Sequence, residues 1–131
     1  MNRKNILILE PDRDVSELFA RALEARKDCK CYMATKGEEA IDLLKDIPFH
    51  LVLADLSTVM NKDFGVLRKI RRLFPDTTII IDAYLHQKEH LCKALTLGAH
   101  AYIYKPIKIE LFRKRIDELC VTGSTRGVIP A

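Results

Sequence analysis

The chain has 131 residues, 48% of them hydrophobic and 31% charged, a size that suits one domain with its own core. With five glycines, five prolines and four cysteines, the composition excludes a collagen, a low-complexity chain and a disulfide scaffold. The net charge is 22 − 18 = +4, with both signs spread along the chain, which argues against a nucleic-acid-binding patch.

Strand and helix signals alternate from the N-terminus onward. Ile6-Leu7-Ile8-Leu9 is a continuous apolar run, short enough for a strand buried on both faces. Val15, Leu18, Phe19, Ala22 and Leu23 then recur at helical spacing, with Asp12 or Asp14 able to cap the first turn. Cys31 to Ala34 reads as a second strand, followed by a turn at Lys36-Gly37-Glu38. Ala40, Ile41, Leu44 and Ile47 mark a second helix, stopped by Pro48. Leu51-Val52-Leu53-Ala54 is a third buried strand that ends at Asp55. After a loop, Val66, Leu67, Ile70, Leu73 and Phe74 give a third helix. Ile79-Ile80-Ile81 is a fourth strand ending at Asp82. A fourth helix carries Leu91, Ala94 and Leu95 and ends at Gly98, a left-handed cap. Ala101 to Tyr104 is the fifth strand, and Phe112, Ile116 and Leu119 mark the fifth and last helix. Residues 1–121 form the domain, and 122–131 read as a flexible tail or linker stub.

Short apolar strands separated by amphipathic helices imply a parallel sheet covered on both faces, an α/β doubly wound fold. In such sheets, sites lie at the carboxyl ends of the strands. No apolar run approaches the roughly 20 residues of a membrane span. Met1-Asn2-Arg3-Lys4 leads into a run too short for a signal peptide. The expectation is a soluble, cytoplasmic chain with no membrane contact. Cys29-Lys30-Cys31 is a C-x-C pair, and because successive strand residues face opposite sides it is not expected to converge on one metal. With Cys92 and Cys120, it reads as reduced thiols.

The residues just past the strands carry the chemistry. Glu10-Pro11-Asp12, Asp55 and Asp82 follow three strands, and Lys105-Pro106 follows the fifth. Isolated buried charges are costly, so such groups pair or hold a cation. Carboxylates around a partly open site suit Mg²⁺, and a lysine suits a phosphoryl oxygen. The blander reading is that the acids cap the following helices. Asp12 fits a helix cap as well as a metal ligand. The four histidines are scattered, and His86 and His90 lack a third ligand. The basic runs at Arg68 to Arg72 and Arg113 to Arg115 read as solvated faces. No glycine follows the first strand in Glu10-Pro11-Asp12-Arg13-Asp14, which argues against a P-loop or a dinucleotide site. No second acid lies two residues after Asp55, which argues against a phosphohydrolase.

The order and spacing of Ile6-Leu7-Ile8-Leu9-Glu10-Pro11-Asp12, Leu51-Val52-Leu53-Ala54-Asp55-Leu56, Leu97-Gly98-Ala99-His100-Ala101-Tyr102 and Lys105-Pro106 resemble the receiver domain of two-component response regulators (CheY-like). Gly37-Glu38-Glu39-Ala40 also fits that family's second helix. The resemblance implies a flavodoxin-like sheet of order 2-1-3-4-5 with five helices. It implies signalling by phosphorelay rather than an enzyme: Asp55 takes a phosphoryl group from a histidine kinase or phosphotransfer protein. Lys105 would bind the phosphoryl oxygen, and its bond to Pro106 would be cis. Mg²⁺ would be held by Glu10, Asp12, Asp55 and the backbone carbonyl of Ser57. Asp82 and Tyr102 would be the switch positions. Downstream proteins, or a second copy in a homodimer, would dock on the fourth helix, fifth strand and last helix, with no direct nucleic-acid contact. Three departures stand out. Pro11 replaces a ligand carboxylate, so Mg²⁺ should bind weakly. Asp82 stands where a hydroxyl is usual. The stretch from Asp55 to Gly65 lacks the usual proline and is longer by about two residues. Pro11 and Asp82 favour the alternative, a pseudo-receiver acting as a phosphorylation-independent interaction module.

Overall fold

The computed structural model describes residues 3–121; the expected tail at 122–131 lies outside the described residues. Five strands, β1 (Lys4–Leu9), β2 (Cys29–Ala34), β3 (Leu51–Asp55), β4 (Thr78–Tyr84) and β5 (Ala101–Lys105), form one parallel sheet in the order β2-β1-β3-β4-β5. Six helices join them: α1 (Arg13–Glu24), α2 (Gly37–Asp46), α3 (Leu56–Val59), α4 (Asn61–Leu73), α5 (Lys88–Thr96) and α6 (Ile109–Val121). The five long helices are those expected. The short α3 occupies the start of the expected loop after Asp55, and a 3-10 turn (Leu85–Gln87) precedes α5.

The sheet is apolar on both faces because alternate residues feed two cores. Leu7, Leu9, Val52, Ala54, Ile79 and Ile81 face α2, α3, α4 and α5. Ile6, Ile8, Leu51, Leu53, Ile80 and Ile103 face α1 and α6. Between those two helices, Phe19 and Phe112 stack with ring centroids 4.4 Å apart. The strand order reverses between β1 and β3, so the crevice of the fold opens at their carboxyl ends.

Two expectations are corrected. Asp82 does not end its strand: β4 runs on to Tyr84, and Asp82 is paired in register with Asp55 and Ile103. Cys29 and Cys31 do not face opposite sides. They are two residues apart, the strand repeat, and both pack into the α1/α6 core. Burial, with smaller contributions from Glu24 and Cys29, pushes the Cys31 thiol up to about 12. That leaves it protonated and unreactive.

Gly98 closes α5. Its φ is +120°, its N–H donates to the Leu95 carbonyl at 3.3 Å, and the Ala99 N–H donates to Ala94 at 3.1 Å. The pair of bonds is a Schellman termination. A Cβ at Gly98 would lie 2.7 Å from Arg71 Nε. We expect Gly98→Ala to cost about 1–2 kcal/mol, read from urea unfolding, because an L-residue resists this φ.

The segment after Gly98 adds a titrating group. His100 Nδ1 accepts a hydrogen bond from the Ile79 N–H at 3.0 Å. Burial and the nearby Arg71 hold its pKa below the ordinary 6.5. The unfolded chain therefore binds the proton more readily. This contribution to stability is complete above the unfolded pKa and is lost as pH falls through the folded one. Unfolding midpoints at about pH 7.5 and pH 5 should show a loss on acidification that shrinks in His100→Asn, which keeps an acceptor but does not titrate. Equal losses in both proteins would assign the effect elsewhere.

Candidate functional site

Glu10, Asp55, Asp82 and Lys105 meet at the carboxyl ends of β1, β3, β4 and β5. The sheet register sets Leu9 beside Ala54 and Asp55 beside Asp82, so three strands deliver three carboxylates to one point. One oxygen from each lies within 4.8 Å of the others. Lys105 Nζ sits among them, 2.5 Å from Asp55 Oδ1, 3.1 Å from Asp82 Oδ1 and 3.4 Å from Glu10 Oε1. The Lys105–Pro106 peptide is cis.

The three acids are held differently. Glu10 Oε2 also accepts the Asp12 N–H at 3.0 Å. Asp55 Oδ2 accepts both the N–H of Ser57, at 3.1 Å, and its hydroxyl. The Thr58 hydroxyl donates to the Asp55 carbonyl at 2.6 Å. Asp82 is the least served. Its side chain is 2% exposed, and Oδ1 makes no aligned hydrogen bond despite its nearness to the ammonium.

Charge in this setting shifts every group that responds to it. Burial pushes Asp82 up to about 7, with Asp55 and Glu10 adding repulsion and Lys105 opposing it. Burial also raises Glu10, against the Asp12 amide and Lys105. For Lys105, burial alone would lower the pKa, but Asp82 and Asp55 overcome it and hold the ammonium above its ordinary range.

Other sequence-identified residues lie outside this group. The Asp12 carboxylate caps α1, accepting the N–H groups of Asp14 at 2.9 Å and Val15 at 3.4 Å. Tyr102 is half-buried on β5, edge-on to Tyr104, with the Arg115 guanidinium 5.8 Å from its ring. Sequence reasoning missed two contributors. The Ser57 hydroxyl was legible, since a serine two residues past a capping aspartate sits where an Asx turn closes. Tyr84, whose ring lies 4.9 Å from Lys105 Nζ, was legible only from the register that sets it beside Lys105.

Comparison with known proteins adds a family. Residues 6–117 match the family model described as the response regulator receiver domain. The chain is 28% identical over 115 residues to response regulator RR06 of Streptococcus pneumoniae, covering 88% of this chain and 52% of that one. It is 27% identical over 133 positions to the transcriptional regulatory protein ZraR of Escherichia coli, covering 100% of this chain and 30% of that one. The chain thus spans about half, or less, of the length of these curated relatives. A CheY-like receiver domain protein of Methanospirillum hungatei superposes with a TM-score of 0.82 at 24% identity, covering 93% of this chain and 97% of that one.

The cluster makes a stability prediction. Removing one partner of a buried ion pair costs about 3–5 kcal/mol. We expect Lys105→Met to destabilise the domain by about that amount near neutral pH, and Asp82→Asn in the same chain to recover part of it. Urea unfolding of the two single variants and the double variant measures the coupling.

Proposed function

The chain belongs to the response regulator receiver domain family, and from that premise we propose that Asp55 accepts a phosphoryl group from a histidine kinase or phosphotransfer protein. The observation that carries the reading is the contact between Lys105 Nζ and Asp55 Oδ1 at 2.5 Å, in the crevice of the sheet. An Asp55 carboxylate oxygen attacks phosphorus, the bond from phosphorus to the donor breaks, and the donor leaves with that electron pair. Asp55 Oδ2 accepts two hydrogen bonds from Ser57 and Oδ1 accepts one from Lys105, so Oδ1 keeps a lone pair for the attack. Lys105 then offsets charge on the transferred group.

The residues present suit a hard divalent cation, since the donors are carboxylate oxygens and Asp82 Oδ1 lacks a hydrogen bond. Glu10, Asp55 and the Ser57 carbonyl would hold it. Asp12 would have to leave its helix cap to join them. Mg²⁺ supplies, when bound, charge neutralisation at the phosphoryl oxygens.

The output face of this reading is α5, β5 and α6, with Tyr102 on β5 as the residue that repositions. Downstream partners and self-association would use that face. A receiver is a signalling domain, and no helix among the described residues is long and apolar enough to cross a membrane.

The second reading, a pseudo-receiver, is favoured by Asp82. An ionised carboxylate cannot donate the bond that a hydroxyl gives a phosphoryl group. At about 5 Å and an effective dielectric of about 20, each like-charge pair costs roughly 3 kcal/mol. Asp82 also already holds Lys105.

Intact mass after incubation with a small phosphodonor and Mg²⁺ separates the two readings. We expect one base-labile phosphoryl group in the wild type, none in Asp55→Asn, and an altered yield or lifetime in Asp82→Thr. An unmodified wild type under saturating donor selects the pseudo-receiver.

A further inference from the structure

We propose that Asp82 is a direct ligand of a divalent-cation site formed with Glu10 and Asp55, in which the cation takes the central position that Lys105 Nζ occupies at rest. The proposal uses the same crevice as the phosphoacceptor reading. It does not depend on phosphorylation of Asp55.

Geometry comes first. The three carboxylates come from three neighbouring strands, and one oxygen of each lies within 4.8 Å of the other two. Oxygens on one cation lie at most about twice a metal–oxygen bond apart, and that bond is about 2.0–2.1 Å for Mg²⁺ and about 2.3–2.6 Å for Ca²⁺, so this spacing is within reach of a shared ion. A cation already sits among these oxygens, since the lysine ammonium contacts all three between 2.5 and 3.4 Å.

The second observation is the incomplete service that the ammonium gives. It makes aligned hydrogen bonds to Glu10 and Asp55. Asp82 Oδ1, on a side chain 2% exposed, receives none. Asp82 Oδ1 thus has an ion-pair contact with the ammonium at 3.1 Å but no aligned hydrogen bond, while it lies against two other carboxylates, so its coordination is incomplete. A spherical cation has no angular requirement on its own side and can satisfy all three oxygens together.

Charge gives the third argument. With all three carboxylates ionised, as ligands to a cation would be, they and the ammonium sum to −3 + 1 = −2. One divalent cation added to that set gives zero, so the site is balanced only when metal and lysine are both present. Lys105 then withdraws from the centre. The Tyr84 ring face, with its centroid 4.9 Å from Nζ, is the neighbouring surface that accepts an ammonium.

Pro11 makes the assignment specific to this chain. It has no side-chain oxygen next to Glu10, and the Asp12 carboxylate is engaged with two amides of α1. The carboxylate missing from the β1 side is supplied by β4. Asp82 is then more than a repulsive neighbour of a phosphoryl group. It anchors a metal ion across β1, β3 and β4.

The test is a titration of the full chain with Mn²⁺, Mg²⁺ and Ca²⁺, by calorimetry and by Mn²⁺ electron paramagnetic resonance, without phosphodonor. We expect wild-type binding that weakens about tenfold or more in the near-isosteric Asp82→Asn, with circular dichroism confirming the fold. Asp12→Asn should change affinity less than about twofold, because that carboxylate stays on its cap. Asp82→Ser, which retains only a neutral oxygen, should also bind weakly. Unchanged or tighter binding in Asp82→Asn overturns the proposal, as does a larger loss in Asp12→Asn than in Asp82→Asn. Absence of any wild-type binding also overturns it. Failure of Asp55 to become phosphorylated does not bear on any of these outcomes.

Discussion

One ammonium among three carboxylates governs the carboxyl edge of this sheet. Lys105 Nζ is within 3.4 Å of an oxygen on Glu10, Asp55 and Asp82, all on side chains no more than 10% exposed. β1, β3 and β4 are apolar through the core and would bring like charges together at their ends. Without β5 and its lysine, that convergence would carry a large desolvation and repulsion cost. The lysine therefore does more than wait for a substrate. It allows three acidic strands to lie side by side, and any ligand that enters must compete with the work it already does.

This constraint explains why the fold was readable from the sequence while the details of the site were less so. Runs such as Ile6 to Leu9 and Leu51 to Ala54 have no polar face, which fixes them as central parallel strands. Helical repeats such as Phe19, Ala22 and Leu23 fix what covers them. The convergence of Glu10, Asp55, Asp82 and Lys105 follows from strand ends alone, because parallel strands deliver all their carboxyl ends to one edge. Asp12 was ambiguous in the sequence, since a short acid before a helix fits a cap and a ligand equally well, and the cap geometry decides its resting role. Asp82 was placed at a strand end because an acid breaks an apolar pattern. The structure carries β4 past it: the backbone ladder with β5 continues to Tyr84, while Lys105 faces the buried side chain. For Cys29 and Cys31 the period-2 repeat is plain in the sequence: alternation puts residues two apart on the same face.

What no local pattern revealed is the course of the chain after Asp55. The stretch expected as a loop begins with α3, whose Leu56 and Val59 are buried, and α4 starts with three consecutive residues of positive φ. Lys62, Asp63 and Phe64 have φ between 53° and 61°, and none is glycine. Left-handed geometry costs about 1–2 kcal/mol for each such residue, so the turn must be held by tertiary contacts. Phe64 supplies one: it is 3% exposed, and burying a side chain of that size contributes about 1.5–3 kcal/mol. Asp63 supplies the other, accepting from Lys93 Nζ on α5 at 3.1 Å and from Arg68 at 3.2 Å. Those partners, Lys93 first, lower the Asp63 pKa and keep it ionised.

The consequence is that α5 is joined to the site along two separate paths. One is covalent: β4 carries Asp82 and Tyr84 beside Lys105, and the chain then passes through the 3-10 turn into α5. The other runs from Asp55 through Ser57 and α3 to the left-handed turn, and from Asp63 to Lys93. Lys93 also lies 5.7 Å from the Phe64 ring, so one side chain on α5 contacts both the charged and the apolar part of that turn. Both paths begin at carboxylates that Lys105 neutralises. A ligand that draws the ammonium away from Asp82 or from Asp55 therefore acts at the start of both connections to α5. Asp63, at the left-handed turn, is the residue that reaches α5. The turn thus links the segment that follows Asp55 to α5 through an exposed ion pair and the apolar contact of Phe64.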